Sequence, residues 1–304
     1  MSDFSNGISI SSFRVTHGKE FYVNNSGVLP KGGIGASNVN DGSYLRPFST
    51  IDFAVGKCVA NRGDTIYVLP GHVETVATAG GLAVDVAGVK IIGLGKGTKR
   101  AKVNLTATAS TITVSAVDCE LHNLLITGGI DAVVSAVVVS ASDVLINCCE
   151  LRDVTGQMVV GILTTAAADR LKILNHKHVG DSAAGTGAAI ALVGGTGIEI
   201  TAERIDGNFS VGGIDVRTTA TTDLFVHDVK FFRTRNAADI FLIDTITAST
   251  GQIGPNINLR LQDNAANITE AVTGATFVVQ DPIYVVNLAG EKGMLINWTA
   301  STDA

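Results

Sequence analysis

The chain has 304 residues, 46% of them hydrophobic but only 5% aromatic, with 34 glycines and a formal charge of −6. An interior of that composition is filled by aliphatic side chains, and the acidic balance excludes a surface that gathers nucleic-acid phosphates. No apolar run approaches the roughly 18 residues of a membrane-crossing helix, and the start lacks the basic and apolar regions of a secretory signal. Synthesis in a cytoplasm, without a membrane or nucleic-acid partner, is the expectation. The cysteines (Cys58, Cys119, Cys148 and Cys149) are too few and too badly spaced for a disulfide scaffold and read as buried thiols.

Residues 1–48 are polar and glycine-rich with no sustained period, and read as an extended arm held by contacts with other chains. Residues 49–62 (STIDFAVGKCVANR) carry Ser49 and Asp52 at capping-box spacing, with Ile51, Ala54, Val55 and Cys58 on one face. They predict a short helix covering the open end of a solenoid. Arg62-Gly63-Asp64 is a turn into the first strand, TIYVLPG. Lys96, Lys99, Arg100 and Lys102 form one basic cluster, expected to be a solvated turn. Its glycines (GLGKGTK) lack phosphate-loop spacing, and no cofactor motif stands out.

From there the chain repeats. Leu121, Ile146, Ile173, Ile200, Val226 and Ile253 recur every 25 to 27 residues within short aliphatic segments separated by Gly, Asn, Asp, Ser or Thr. A second ladder (AVVVSAS, VVGILTT, AAIALVG, GGIDVRT, DIFLIDT) runs 8 to 12 residues ahead of it. A fixed period of this size, made of strands and turns, predicts an all-β, right-handed parallel β-helix over residues 63–261. Residues 262–304 are expected to leave the period as a C-terminal β cap or assembly module, with GEKG turning a hairpin.

The entry segment DGSYLRPFSTIDFAVGKCVANRGDTIYVLPGHVETV, followed by VAGVKIIGLGKGT, resembles that of pectate-lyase-like β-helices, especially in bacteriophage virion proteins. The resemblance covers residues 41–253. It implies a capping helix at residues 47–54 and a first rung at residues 63–71. For function it suggests a virion component, but one β-helix scaffold hosts lyases, hydrolases, spikes and inert structural proteins.

Alternation along the second ladder turns Ala189, Ala191 and Val193, Gly161 and Leu163, and Asp215 and Arg217 outward. That face is small and apolar, with one ion pair expected on its surface or between subunits. Asp215 and Arg217 are the weak catalytic candidates on it. Glu150, Asp153 and Asp206 read as solvated turn acids. An acid-poor face predicts no sugar cleavage, hence no enzyme. The apolar stripe is covered either by a threefold contact or by the chain's own arm.

In the first ladder, Leu124, Cys149, His176, Glu203 and Val229 form one inward column, and Ile126, Leu151, His178, Ile205 and Phe231 another. Between them stand Leu125, Glu150, Lys177, Arg204 and Lys230, mostly charged and facing water. Cys149, His176, His178 and Glu203 are weak metal candidates. The alternatives are a buried His–Glu pair beside a thiol, or a bulge that turns the histidines outward.

The combined expectation is a non-enzymatic structural protein of a phage virion, a decoration, cement or fibre-like component. It is expected to be a homotrimer attached to capsid or tail proteins through the arm. The alternative is a tailspike-like polysaccharide depolymerase or a glycan-binding adhesin.

Overall fold

The computed structural model describes residues 18–28, 31–153, 158–180, 186–233, 241–246, 248–260, 272–273, 276–280, 283–286 and 292–295. Strand β1 (Glu20–Val23) pairs in parallel with β2 (Thr65–Val68), placing an extra rung ahead of the first coil. Its alternation buries Phe21 and Val23, and Phe48 joins them in the core. Residues 18–28 and 31–48 therefore pack on their own coil rather than standing free as an extended arm; residues 1–17 of the expected arm lie outside the described residues.

Helix α1 (Ile51–Val55) is shorter than the sequence suggests and is capped by Thr50, whose hydroxyl accepts from the Phe53 N–H, not by Ser49. Ile51, Ala54 and Val55 face the core. Its first turn is tied to the solenoid twice. The buried Glu74 carboxylate accepts from the Ile51 N–H at 2.9 Å, and Asp52 accepts from the Ala83 N–H at 3.0 Å. The Arg62-Gly63-Asp64 turn is structural as expected: Asp64 is fully buried, accepting from the Lys19 and Val59 amides and from Arg62.

Each coil then runs through two faces of one long parallel sheet and one face of a second, as in β2, β3 (Val73–Val76) and β4 (Leu82–Val84). The corners explain the composition. At the entry to the first face, Asp118, Asp143, Arg170 and Asp223 have φ between 53° and 59°; between the first and second faces, Asn123, Cys148, Asn175, Asp228 and Asn256 have φ between 50° and 62°. Asp, Asn and Gly enter this left-handed region at least cost. Their side chains also bond up the stack, Asn175 to Asn147 at 3.2 Å and Asn256 to Asp228 at 3.0 Å.

The inner columns fall as the period requires. Leu121, Ile146, Ile173, Ile200, Val226 and Ile253 pair in series and are buried, as do Ile126, Leu151, His178, Ile205 and Phe231. The coil does not stop at residue 261. Thr276–Val279 and Ile283–Val286 continue the parallel ladders of Thr250–Ile253 and Ile257–Arg260; among the described residues Lys292–Leu295 alone runs antiparallel, pairing back on Ile283–Val286, so that Lys292 and Gly293 of the expected GEKG turn stand in the strand.

On the second sheet, Leu163, Ala191 and Asp215 share one outward register. Gly161 and Ala189 do not point outward. Ala189 is in the core, and a methyl group on Gly161 would lie 3.0 Å from Leu151 and 3.1 Å from His178. Ala189 and Ile190 are both fully buried, so strict alternation fails at this level. Ala191 is fully buried and Leu163 half-buried, so the stripe is not the open apolar face that suggested a threefold contact.

Replacing Ile200 with Asp places an unpaired charge in a dry, stacked column. It is expected to cost several kcal/mol, read as loss of the cooperative thermal transition.

Candidate functional site

The charged column between the two inward columns is a continuous outer ladder. Lys102, Leu125, Glu150, Lys177 and Arg204 pair in series, and Lys230 stands one residue before the Ile205–Phe231 rung. Arg152 lies two residues beyond Glu150 on the same face, and Arg100 reaches in from the turn before Lys102. In a chain of net charge −6, this face gathers six cations along a few rungs.

Their centre is Glu150, only 4% exposed. It is no solvated turn acid. Its carboxylate is bound by Arg152 through Nε at 2.9 Å and a second guanidinium nitrogen, by Arg100 at 3.0 Å and by Lys177 Nζ at 3.5 Å. Arg100 is itself held from behind: its Nε donates to the Asn123 carbonyl at 3.3 Å and another guanidinium nitrogen to that of Cys148. The basic cluster read as a solvated turn is thus partly a fixed site. Together with Lys102, Leu125, Gly71 and Thr98 these residues line a groove of about 700 Å³. One buried carboxylate faces four cations there, leaving an uncompensated positive charge in a partly desolvated cleft. Such a cleft takes an anion. Farther along, Arg204 pairs with Asp206, 7% exposed and also not solvated, and stacks over Phe232 at 4.8 Å.

The Asp215–Arg217 ion pair forms as expected. Asp215 is only 3% exposed, however, and burial raises its carboxyl pKa, with Arg217 opposing and Asp244 adding to the rise. Asp244, 5% exposed, is likewise raised by burial. Burial thus lifts both carboxyls above their ordinary value, while the ion pair with Arg217 works against it at Asp215.

The metal candidates do not assemble. A bulge between Ile173 and His176 shifts the register, so that His176 pairs with Ala202. Glu203 turns outward and becomes exposed. Cys149 is buried as a thiol, its pKa pushed up to about 11 by burial. His176 and His178 do point inward, and the bulge does not expel them. They are fully buried, and their ring nitrogens make no well-formed hydrogen bond among the described residues. No group of three metal-ligating side chains converges among the described residues.

No family model and no curated protein matches the chain. Among solved structures, a rhamnogalacturonan lyase superposes with a TM-score of 0.55, over 94% of this chain and 86% of that one, at 15% identity. The fold is the pectate-lyase-like parallel β-helix. This likeness overturns the expectation that the chain is not an enzyme, because its scaffold is one on which a polysaccharide lyase is built. The expectation rested on one acid-poor face, and the charged groove lies on another.

Burial depresses the pKa of His176 to about 4 and that of His178 to about 3, from an ordinary 6.5. Stability is therefore full above pH 6.5, where neither state is protonated at these rings. It falls as pH drops toward 4 and then 3, because only the unfolded chain takes up protons in that window. Each pH unit inside it costs about 1.4 kcal/mol per ring. Urea midpoints measured between pH 7 and 5 are expected to fall, and His178→Leu, matching Leu151 and Ile205 in its column, to flatten the fall.

Proposed function

We propose that this chain is a polysaccharide depolymerase that binds an acidic glycan along the cationic ladder and cleaves it by β-elimination at the Glu150 groove. The observation that carries this reading is the convergence of Arg100, Arg152 and Lys177 on a single buried carboxylate, with Lys102 lining the same groove. A uronate residue has a carboxylate adjoining the C5–H bond. In this reading Arg100 and Arg152, held in place by Glu150, neutralise that carboxylate and so acidify C5–H. Lys177, on the next rung and a cation at rest, first gives a proton to solvent and then takes the C5 proton as the amine. The electron pair forms the C4=C5 double bond, the C4–O bond breaks, and the departing oxygen takes a proton from water or a neighbouring acid. The ladder from Lys102 to Lys230 would bind successive sugars on either side of the cut.

The setting we propose is a virion, on the resemblance of the entry segment. There a depolymerase of this kind would act on a bacterial surface polysaccharide, as the tailspike-like alternative expected.

Incubation with uronate polymers and acidic capsular polysaccharides should release unsaturated, ultraviolet-absorbing ends. Lys177→Met should lower turnover by about 100-fold or more while leaving polymer binding in place. Glu150→Gln should weaken binding as well, by freeing the two guanidinium groups. Absence of both unsaturated ends and new reducing ends from every acidic polymer would refute this reading.

A further inference from the structure

A larger groove, of about 780 Å³, lies on the other face of the long sheet, toward the C-terminal end. Its floor is one outward register running through consecutive coils: Leu145, Lys172, Glu199, Phe225, Gln252 and Val278. At roughly 4.8 Å per rung this floor is about 24 Å long. It is straight, because the parallel ladder makes it so.

Both cations of the groove are paired, and Asp223 on its wall leaves one acid in excess. Lys172 pairs with Glu199 at 3.0 Å, and at the rim Arg170 makes a bidentate pair with Asp143 at 2.6 and 2.7 Å. His227, also bound to Glu199 at 3.3 Å, stacks under Phe225 with ring centroids 4.0 Å apart and planes within 23°. The phenyl ring is thereby fixed in orientation. Beyond it the groove offers the Gln252 amide and Val278, which is 62% exposed. The combination is a fixed aromatic ring, a floor that mixes apolar and polar side chains, and hydrogen-bonding groups without a free cation. It differs from the cationic ladder in the one property that selects ligands, its field.

The geometry points to a second carbohydrate site, for an uncharged oligosaccharide lying along the solenoid axis with one pyranose ring on Phe225. The C–H face of a pyranose packs on an aromatic ring, and its hydroxyls bond to amide and carboxylate groups on either side. An anionic polymer gains nothing from a groove whose cations are already paired, and a protein partner would leave the paired charges buried beneath it. This assignment stands apart from cleavage at the Glu150 groove.

Titration calorimetry with neutral hexasaccharides of glucose, mannose, galactose and xylose, α- and β-linked, tests it, with hexagalacturonate as the charged comparison. At least one neutral hexasaccharide should bind. Phe225→Ala should weaken that binding about tenfold, Phe225→Trp should restore it, and Val278→Asp should weaken it on a residue exposed enough to leave folding intact. Lys177→Met should leave neutral binding unchanged, whereas failure of the cleavage reading would appear only with the acidic polymers. No binding by any neutral hexasaccharide would overturn the site. So would neutral binding indifferent to both Phe225→Ala and Val278→Asp, or hexagalacturonate binding lost in Phe225→Ala and kept in Lys177→Met.

Discussion

A parallel ladder binds each residue to the one a coil above and a coil below, and the whole molecule answers to that registry. A side chain is chosen less for its neighbours in sequence than for its column. The first inward column is aliphatic and of nearly even size, so Ile200 sits between Ile173 and Val226. Corner columns must accept a left-handed backbone, so Asp, Asn and Gly recur there. Outward columns are released from packing, and this is where the chain places its chemistry. Where one coil carries an extra residue, as at the bulge beside His176, the error is absorbed locally and pairing resumes at Lys177.

The two outward columns of the long sheet show how one scaffold presents two different surfaces. On one, a single buried carboxylate organises a surplus of cations. On the other, each cation is paired, one acid is left over, and an aromatic ring supplies the remaining contact. Neither property is visible in the overall charge, because a solenoid segregates charge by column rather than by segment. An acidic protein can therefore hold a cationic track.

Most of the fold was legible because the period is a direct imprint of coil length, and the aliphatic columns follow by counting. The boundaries were less so. The polar composition of residues 18–48 hid the Phe21, Val23 and Phe48 anchors, which act one at a time and leave no pattern. Past residue 261, apolar segments too few to establish a repeat still continue it. The cationic ladder was read correctly as outward-facing, and each of its members was in view. What the sequence could not supply was convergence. Arg100 lies 50 residues from Glu150 and becomes its partner only when two coils have stacked. Glu203 failed as an inward residue for the converse reason, since a one-residue bulge reverses the alternation on which such counting depends. The low aromatic content likewise gave no sign of Phe225, whose setting depends on His227 and Glu199.

The direction of the hydrogen bonds has a mechanical consequence. In a parallel β-helix they run along the long axis, so tension applied end to end loads the rungs in series, and the coils would peel apart one after another. Tension applied from the flank, as by a polymer gripped along an outward column and pulled, is instead shared in shear across every rung it touches. The extra rung at Glu20–Val23 and the helix locked by Glu74 stand at the end where axial peeling would begin. A molecule built this way is weakest to a pull on its tip and strongest to a pull on its flank.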